Sequence, residues 1–282
     1  MTPEEKTIQD QIMKGQIPTR RISADIPTEE IDLPSKGKYY PEEHPLSSGK
    51  ILLKYPTARE EDILTSRNLI MKGSAIDTFL SSLIVDKSIN IDDMLLGDKN
   101  SLFIAARILA YGKEYPVEIK CPSCTEQNKV VIDISEFEAK EIEGIDKIYM
   151  NEFQFTLPAS GATLTFKVLN GRDFKESESI LKQSKKSLKT LVSPEMTTRI
   201  RVSLLSVQTK DSNIIDDRLE IKNFVDNMLA IDAKAFRDEM SRISPDIESV
   251  FLFECEICGY TERTRMPLGA NFFWPGAEEN SK

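Results

Sequence analysis

The chain has 282 residues, 40% of them hydrophobic, enough for one large domain or two of ordinary size with a real core. Lys and Arg number 37 against 46 Asp and Glu, a formal charge of -9, and that excess of anions argues against a protein that grips nucleic acid or anionic lipid over a wide surface. No apolar run approaches the roughly 18 residues that span a bilayer, and the first residues lack a signal-peptide pattern, so a protein without a membrane span, made in the cytoplasm, is expected.

In chain order, residues 1–30 are polar, carry Pro18, Pro27 and Arg20-Arg21, and show no sustained periodicity. They read as a flexible N-terminal arm, to be ordered on a partner. A Leu-Pro turn follows in Ile31–Gly37. Gly37–Lys50 reads as a loop or hairpin holding the only histidine, His44, which has no partners for acid–base or metal chemistry and is expected on the surface. Ile51–Leu64 reads as a strand and an acidic helix start, with Thr57 and Glu60 as a capping box. Asp92-Asp93 reads as a helix start, where acidic groups meet the dipole. Asp98 heads another helix, Val117–Lys120 alternates like a strand, and Cys121-Pro122-Ser123-Cys124 precedes a second strand at Val130–Ile134. Residues 138–147 form a charged connector.

The second half runs through the same features. Phe155–Gly161 is again a Leu-Pro turn, and Leu164-Thr165-Phe166-Lys167 leads to another acidic helix start. Residues 175–190 are rich in Lys and Ser and read as a solvated helix face, with an acidic neighbour as the alternative. Ile215-Asp216-Asp217 echoes Ile91-Asp92-Asp93, and Asp232 stands 23 residues before Cys255, as Asp98 stands 23 before Cys121. Cys255-Glu256-Ile257-Cys258 is followed by Gly259, suited to a left-handed turn. Asn271-Phe272-Phe273-Trp274-Pro275 carries the only Trp; its rings either cover the ribbon and fill the interface of the halves or project as an anchor for a partner.

This order predicts an α+β fold built by tandem duplication of a strand-helix-helix-strand unit, with repeats at 31–150 and 151–282. All four cysteines, Cys121, Cys124, Cys255 and Cys258, fall in two Cys-x-x-Cys pairs, each between strand-like segments. Zn²⁺ favours four tetrahedral thiolates, and a Cys-x-x-Cys knuckle supplies two from one turn. One structural Zn²⁺ shared between the halves is therefore expected, a closed zinc-ribbon-like site that leaves no open position for catalysis. A thioredoxin-like site would need one pair opening a helix, and structural disulfides belong to exported chains. Zinc shared between chains of a homo-oligomer is the other arrangement the pairs allow.

No catalytic or cofactor-binding residues are identified: there is no Gly-rich phosphate loop, and a single His leaves no catalytic triad. The protein is expected not to be an enzyme. Leu33 to Leu64, followed by Ser82 to Tyr115, resembles baseplate hub proteins of contractile-tailed, T-even-type bacteriophages. The likeness covers mainly residues 31 to about 135 and is densest at Thr57–Leu64 and Gly97–Gly112. It implies a structural or assembly role in the hub, other baseplate or tail proteins as partners, and residence in the host cytoplasm during assembly and then in the virion tail. The alternative is a zinc-ribbon adaptor in nucleic-acid or protein-complex machinery, with Lys120, Lys129, Arg263 and Arg265 as contact residues.

Overall fold

In the computed structural model, the described residues are 26–142, 144–145, 151–187, 194–266 and 270–273. The arm's Pro18 and Arg20-Arg21, the end of the Lys-rich stretch, and Trp274-Pro275 lie outside them. The described residues form eight α-helices and small antiparallel sheets, a mixed α and β architecture as expected. No described helix is long and apolar enough to cross a membrane.

The first half opens on a hairpin, β1 (Thr28–Asp32) against β2 (Lys50–Lys54), so ordered pairing begins inside the stretch expected to be an arm. Helices α1 (Ala58–Thr65), α2 (Arg67–Lys72), α3 (Ala75–Leu83) and α4 (Leu96–Tyr111) follow, then the hairpin of β3 (Glu114–Lys120) and β4 (Gln127–Asp133). The second half pairs β6 (Phe153–Thr156) with β7 (Thr163–Phe166) and continues into α5 (Gly171–Ser187) and α6 (Glu195–Ser203). Strands β8 (Leu204–Gln208) and β9 (Ile214–Ile215) extend that sheet in the order β6-β7-β8-β9. Helices α7 (Arg218–Asp226) and α8 (Ala230–Ile243) lead to a last hairpin, β11 (Val250–Glu254) with β12 (Thr261–Arg265).

The Gly37–Lys50 segment is a loop, of turns and a short 3-10 helix at Pro45–Ser48, but one that packs inward. Tyr39, Tyr40 and Leu46 are buried in it, because the Tyr39 hydroxyl donates to Ile243 O and the Tyr40 hydroxyl to the Asp98 carboxylate. His44 is half-buried and structural: its ring stacks on Tyr40 at 5.1 Å, and its Nδ1 accepts from the Leu46 N–H. Asp92-Asp93 also departs from expectation. Ile91–Asp93 is a short 3-10 turn capped by Asn90, which frees both carboxylates for cations of the other half. Asp93 pairs with Arg172 and Asp92 with Lys175, while Lys175 also reaches Asp77 at 3.1 Å. Asp217 does start a helix, accepting from the Leu219 and Glu220 N–H groups at the head of α7.

The halves meet along one continuous core. Backbone bonds cross at Leu96 N–H to Leu169 O and Gly171 N–H to Met94 O, and Gly97 lies so close to the other half that an added Cβ would sit 1.8 Å from Pro245 O. Only glycine permits that approach. The connector contributes β5 (Glu138–Ala139), paired with β10 (Ile247–Glu248) of the second half. Phe272 and Phe273 pack with Phe79, Phe103 and Tyr115 of the first half, so these two rings fill the interface rather than cover the cysteines.

The capping box at α1 forms as expected. The Glu60 carboxylate accepts from the Thr57 N–H at 2.9 Å and from Lys54 Nζ at 2.7 Å, and the residue is buried. Burial alone would raise its pKa, but Lys54 and the Thr57 hydroxyl and amide outweigh it and hold the carboxyl at about 2. A carboxyl depressed in the folded state stabilises above its unfolded pKa, near 4.5, and loses that contribution as pH falls toward 2. Urea titrations across that window should therefore show a steeper acid loss in the wild type than in Glu60→Gln, with the excess at most about 3 kcal/mol. Parallel curves for the two chains would contradict this assignment.

Candidate metal centre

The strand pairs β3–β4 and β11–β12 end in turns that close in the same way. In the first, the Cys121 N–H donates to Glu126 O and the Thr125 N–H to Cys121 O, each at 2.9 Å. In the second, the Cys255 N–H donates to Tyr260 O at 2.8 Å and the Gly259 N–H to Cys255 O at 2.9 Å. The residue after the second cysteine is left-handed in both, Gly259 at φ 69° and Thr125 at φ 65°. Glycine meets that geometry freely, as expected for Gly259; Thr125 is β-branched and must be held there by its surroundings.

The folded halves carry the two turn tips to one place. Cys121 Sγ lies 3.7 Å from Cys258 Sγ, Cys124 Sγ lies 3.6 Å from Cys255 Sγ, and all four sulfurs fall within 4.8 Å of one another. These separations are too long for disulfide bonds of about 2.05 Å. A tetrahedral ion held by four thiolates at about 2.3 Å sets its sulfurs about 3.8 Å apart, close to what the cluster presents. The four side chains can therefore bind a metal. They are the one such cluster of His, Cys, Asp and Glu among the described residues. Cys121 and Cys255 are buried and Cys258 is exposed, with Phe253 packed beneath and Ile119, Val130, Phe251 and Tyr260 around it.

Electrostatics within the cluster favour a cation. Burial would raise the Cys255 thiol, but the amides of Cys258 and Ile257 and the neighbouring thiols bring it down to about 6. The Glu126 amide lowers Cys124, yet burial and the other three sulfurs push that thiol up to about 12. Negative charge on one sulfur opposes a second, and a bound cation removes that opposition.

Asn128 is part of the centre, although its sequence context does not mark it. It is buried on β4; its amide donates to Glu126 O at 3.1 Å and its Oδ1 accepts from the Glu256 N–H at 3.0 Å. It thus joins the backbone of one knuckle to that of the other. Only the alternation of β4, which turns this polar side chain inward between Gln127 and Lys129, hints at such a task. Lys120, Lys129, Arg263 and Arg265 are all exposed, but Lys129 pairs with Glu118 at 3.3 Å, and Glu254 and Glu262 stand among the others. The surface of the two hairpins is mixed in sign.

The two Leu-Pro turns are held by the helices that lead to the cysteine hairpins. The Asp98 carboxylate, on α4, accepts from the Ser35 N–H at 2.9 Å and the Tyr40 hydroxyl at 2.6 Å. The Asp232 carboxylate, on α8, accepts from the Ala159 N–H at 2.8 Å and the Ser160 N–H at 3.0 Å. Both aspartates are fully buried. Burial dominates at Asp98 and raises its pKa; at Asp232 burial is outweighed by the donors of Ala159 and Ser160, and the carboxyl is lowered.

No curated protein and no solved structure matches the chain significantly. The family described as T4 bacteriophage base plate protein matches residues 25–274, a span that takes in both Leu-Pro turns, both helices behind the hairpins and all four cysteines. The chain belongs to the T4 bacteriophage base plate protein family.

Proposed function

We propose that this chain is a non-enzymatic structural or assembly component of the baseplate hub of a contractile phage tail, stabilised by one structural Zn²⁺ held by Cys121, Cys124, Cys255 and Cys258. The family match over residues 25–274 carries the baseplate reading, and the closed set of four thiolates supports the structural one. Four sulfur ligands complete a tetrahedron, so the ion adds folding free energy rather than a reactive site. Both cysteine pairs come from one chain, which favours zinc shared within the chain over zinc shared between copies. The partners in this reading are other baseplate and tail proteins, first in the host cytoplasm and then in the virion.

The chain also reads as a duplication, with repeats at 31–150 and 151–282. Three matched details support it. Asp98 and Asp232 each hold a Leu-Pro turn of their own half. Leu53 pairs with Ile84 directly after α3, as Phe166 pairs with Leu204 directly after α6. The two knuckles make the same pair of backbone bonds.

The test is a phage carrying a stop codon in this gene. Peripheral baseplate wedges should still form, while central hubs and complete tails are missing, and antibody against the chain should label the centre of wild-type baseplates or of hub precursors. Normal hubs in the mutant, or label confined to the periphery, would refute the hub assignment.

A further inference from the structure

Between α3, α4 and α5, at the junction of the halves, runs a cleft with two different ends. One end, about 290 Å³, is apolar and lined by Ile76, Leu80, Leu96, Phe103 and Phe174. Lys99 and Phe174 also line the other end, about 620 Å³, where Lys72, Lys175 and Lys182 stand against Asp77 and Glu178. Four lysines face Asp77 and Glu178 there, and Lys175 also holds Asp92, which leaves a local excess of one positive charge on a chain whose formal charge is -9. Asp77 is already engaged by Lys99 and Lys175, while Lys72 and Lys182 make no ion pair among the described residues. Phe174 keeps 40% of its surface exposed beside this opening.

The chain itself supplies a segment of complementary chemistry at this place. Phe273 is buried with its ring 4.9 Å from Phe103, a wall of the apolar end. The sequence then continues Trp274-Pro275-Gly276-Ala277-Glu278-Glu279, one large aromatic followed four residues later by two adjacent carboxylates. Six residues reach about 20 Å when extended, enough to run from the apolar end into the basic one. Pro275 has a restricted φ, which limits the conformational entropy lost on docking. An indole gains most from a pocket with an apolar body and a wet rim, which this cleft offers.

We propose that Trp274–Glu279 docks back along this cleft in the same chain, with the indole in the apolar end and Glu278-Glu279 against Lys72 and Lys182. The segment then straps α5 of the second half to α3 and α4 of the first, on the side of the molecule bearing Phe103.

Trp274 is the only tryptophan, so its fluorescence reports the docking directly. In the full-length protein its emission should be blue-shifted, and acrylamide should quench it less than it quenches N-acetyltryptophanamide. Phe174→Ala should raise the quenching constant by removing one wall. The surface pair Lys72→Glu/Lys182→Glu should raise it about two- to fivefold, the scale on which exposed ion pairs move an equilibrium. Adding Glu278→Lys/Glu279→Lys to that pair should restore protection. A wild-type signal as accessible as the free amide would overturn the proposal. So would protection that ignores Phe174 and all four charge changes, or protection lost on dilution, which would assign the cleft to another copy's tail.

Discussion

Cys255→Ser is expected to release the bound metal and to strip protection from both cysteine hairpins, not only from the one that carries the substitution. The native protein should hold about one zinc per chain by elemental analysis, and the variant close to none. The sulfurs come from both hairpins: each hairpin contributes two, and each sulfur of one pair has its near neighbour in the other. Besides Cys121 and Cys255, the small buried cluster beneath them holds one residue, Phe253, and the partly buried Val130 and Phe251 join it to the main core. Structural zinc in small domains contributes about 10 kcal/mol or more, and zinc at this cluster would help hold Thr125 in its left-handed turn. Hydrogen exchange should therefore accelerate over Glu114–Asp133 and Val250–Arg265 together, and a strong chelator should reproduce the pattern in the wild type. Loss confined to the second hairpin, or a metal-free wild type with full protection, would refute the shared site.

The second large effect is expected at the buried aspartates. Asp98→Ala leaves the Ser35 N–H and the Tyr40 hydroxyl without their acceptor in a place that water does not reach, at a cost of about 3 kcal/mol. Asp232→Ala strands two backbone amides, those of Ala159 and Ser160, and should cost about as much. Asp98→Asn should recover only part of the loss, since the site asks for two acceptors and an amide offers one beside a donor. Urea unfolding measures all three. Near-equal losses at 98 and 232 would agree with one ancestral role kept in two copies. A negligible loss at 232 would contradict both the hydrogen-bond assignment and that parallel.

The parts of this architecture that were legible in the sequence are those fixed over short distances. Cys-x-x-Cys between strand-like segments, Gly259 after the second pair, and Thr57 with Glu60 each state their geometry within about six residues. What was hidden depends on groups far apart in the chain. Asp92-Asp93 looks like a helix start until Arg172 and Lys175 come to meet it. The polar segment around His44 looks solvated until Asp98 and Ile243 accept the Tyr40 and Tyr39 hydroxyls. Asn128 looks like any other strand amide until Glu256 of the opposite knuckle arrives. In each case the local pattern fits an exposed or capping role, and only tertiary pairing decides otherwise.

The sulfur pairs that touch are 137 and 131 residues apart in sequence, which has a consequence for how the protein is made. At about 5–20 residues per second, the ribosome needs roughly 7–27 s to deliver the second pair after the first. Throughout that interval the first pair is a two-ligand fragment, able to capture stray metal weakly or to meet an oxidant. The cluster can therefore assemble only after the second hairpin has been made, and a chain that stops before Val250 carries the first pair without its partners.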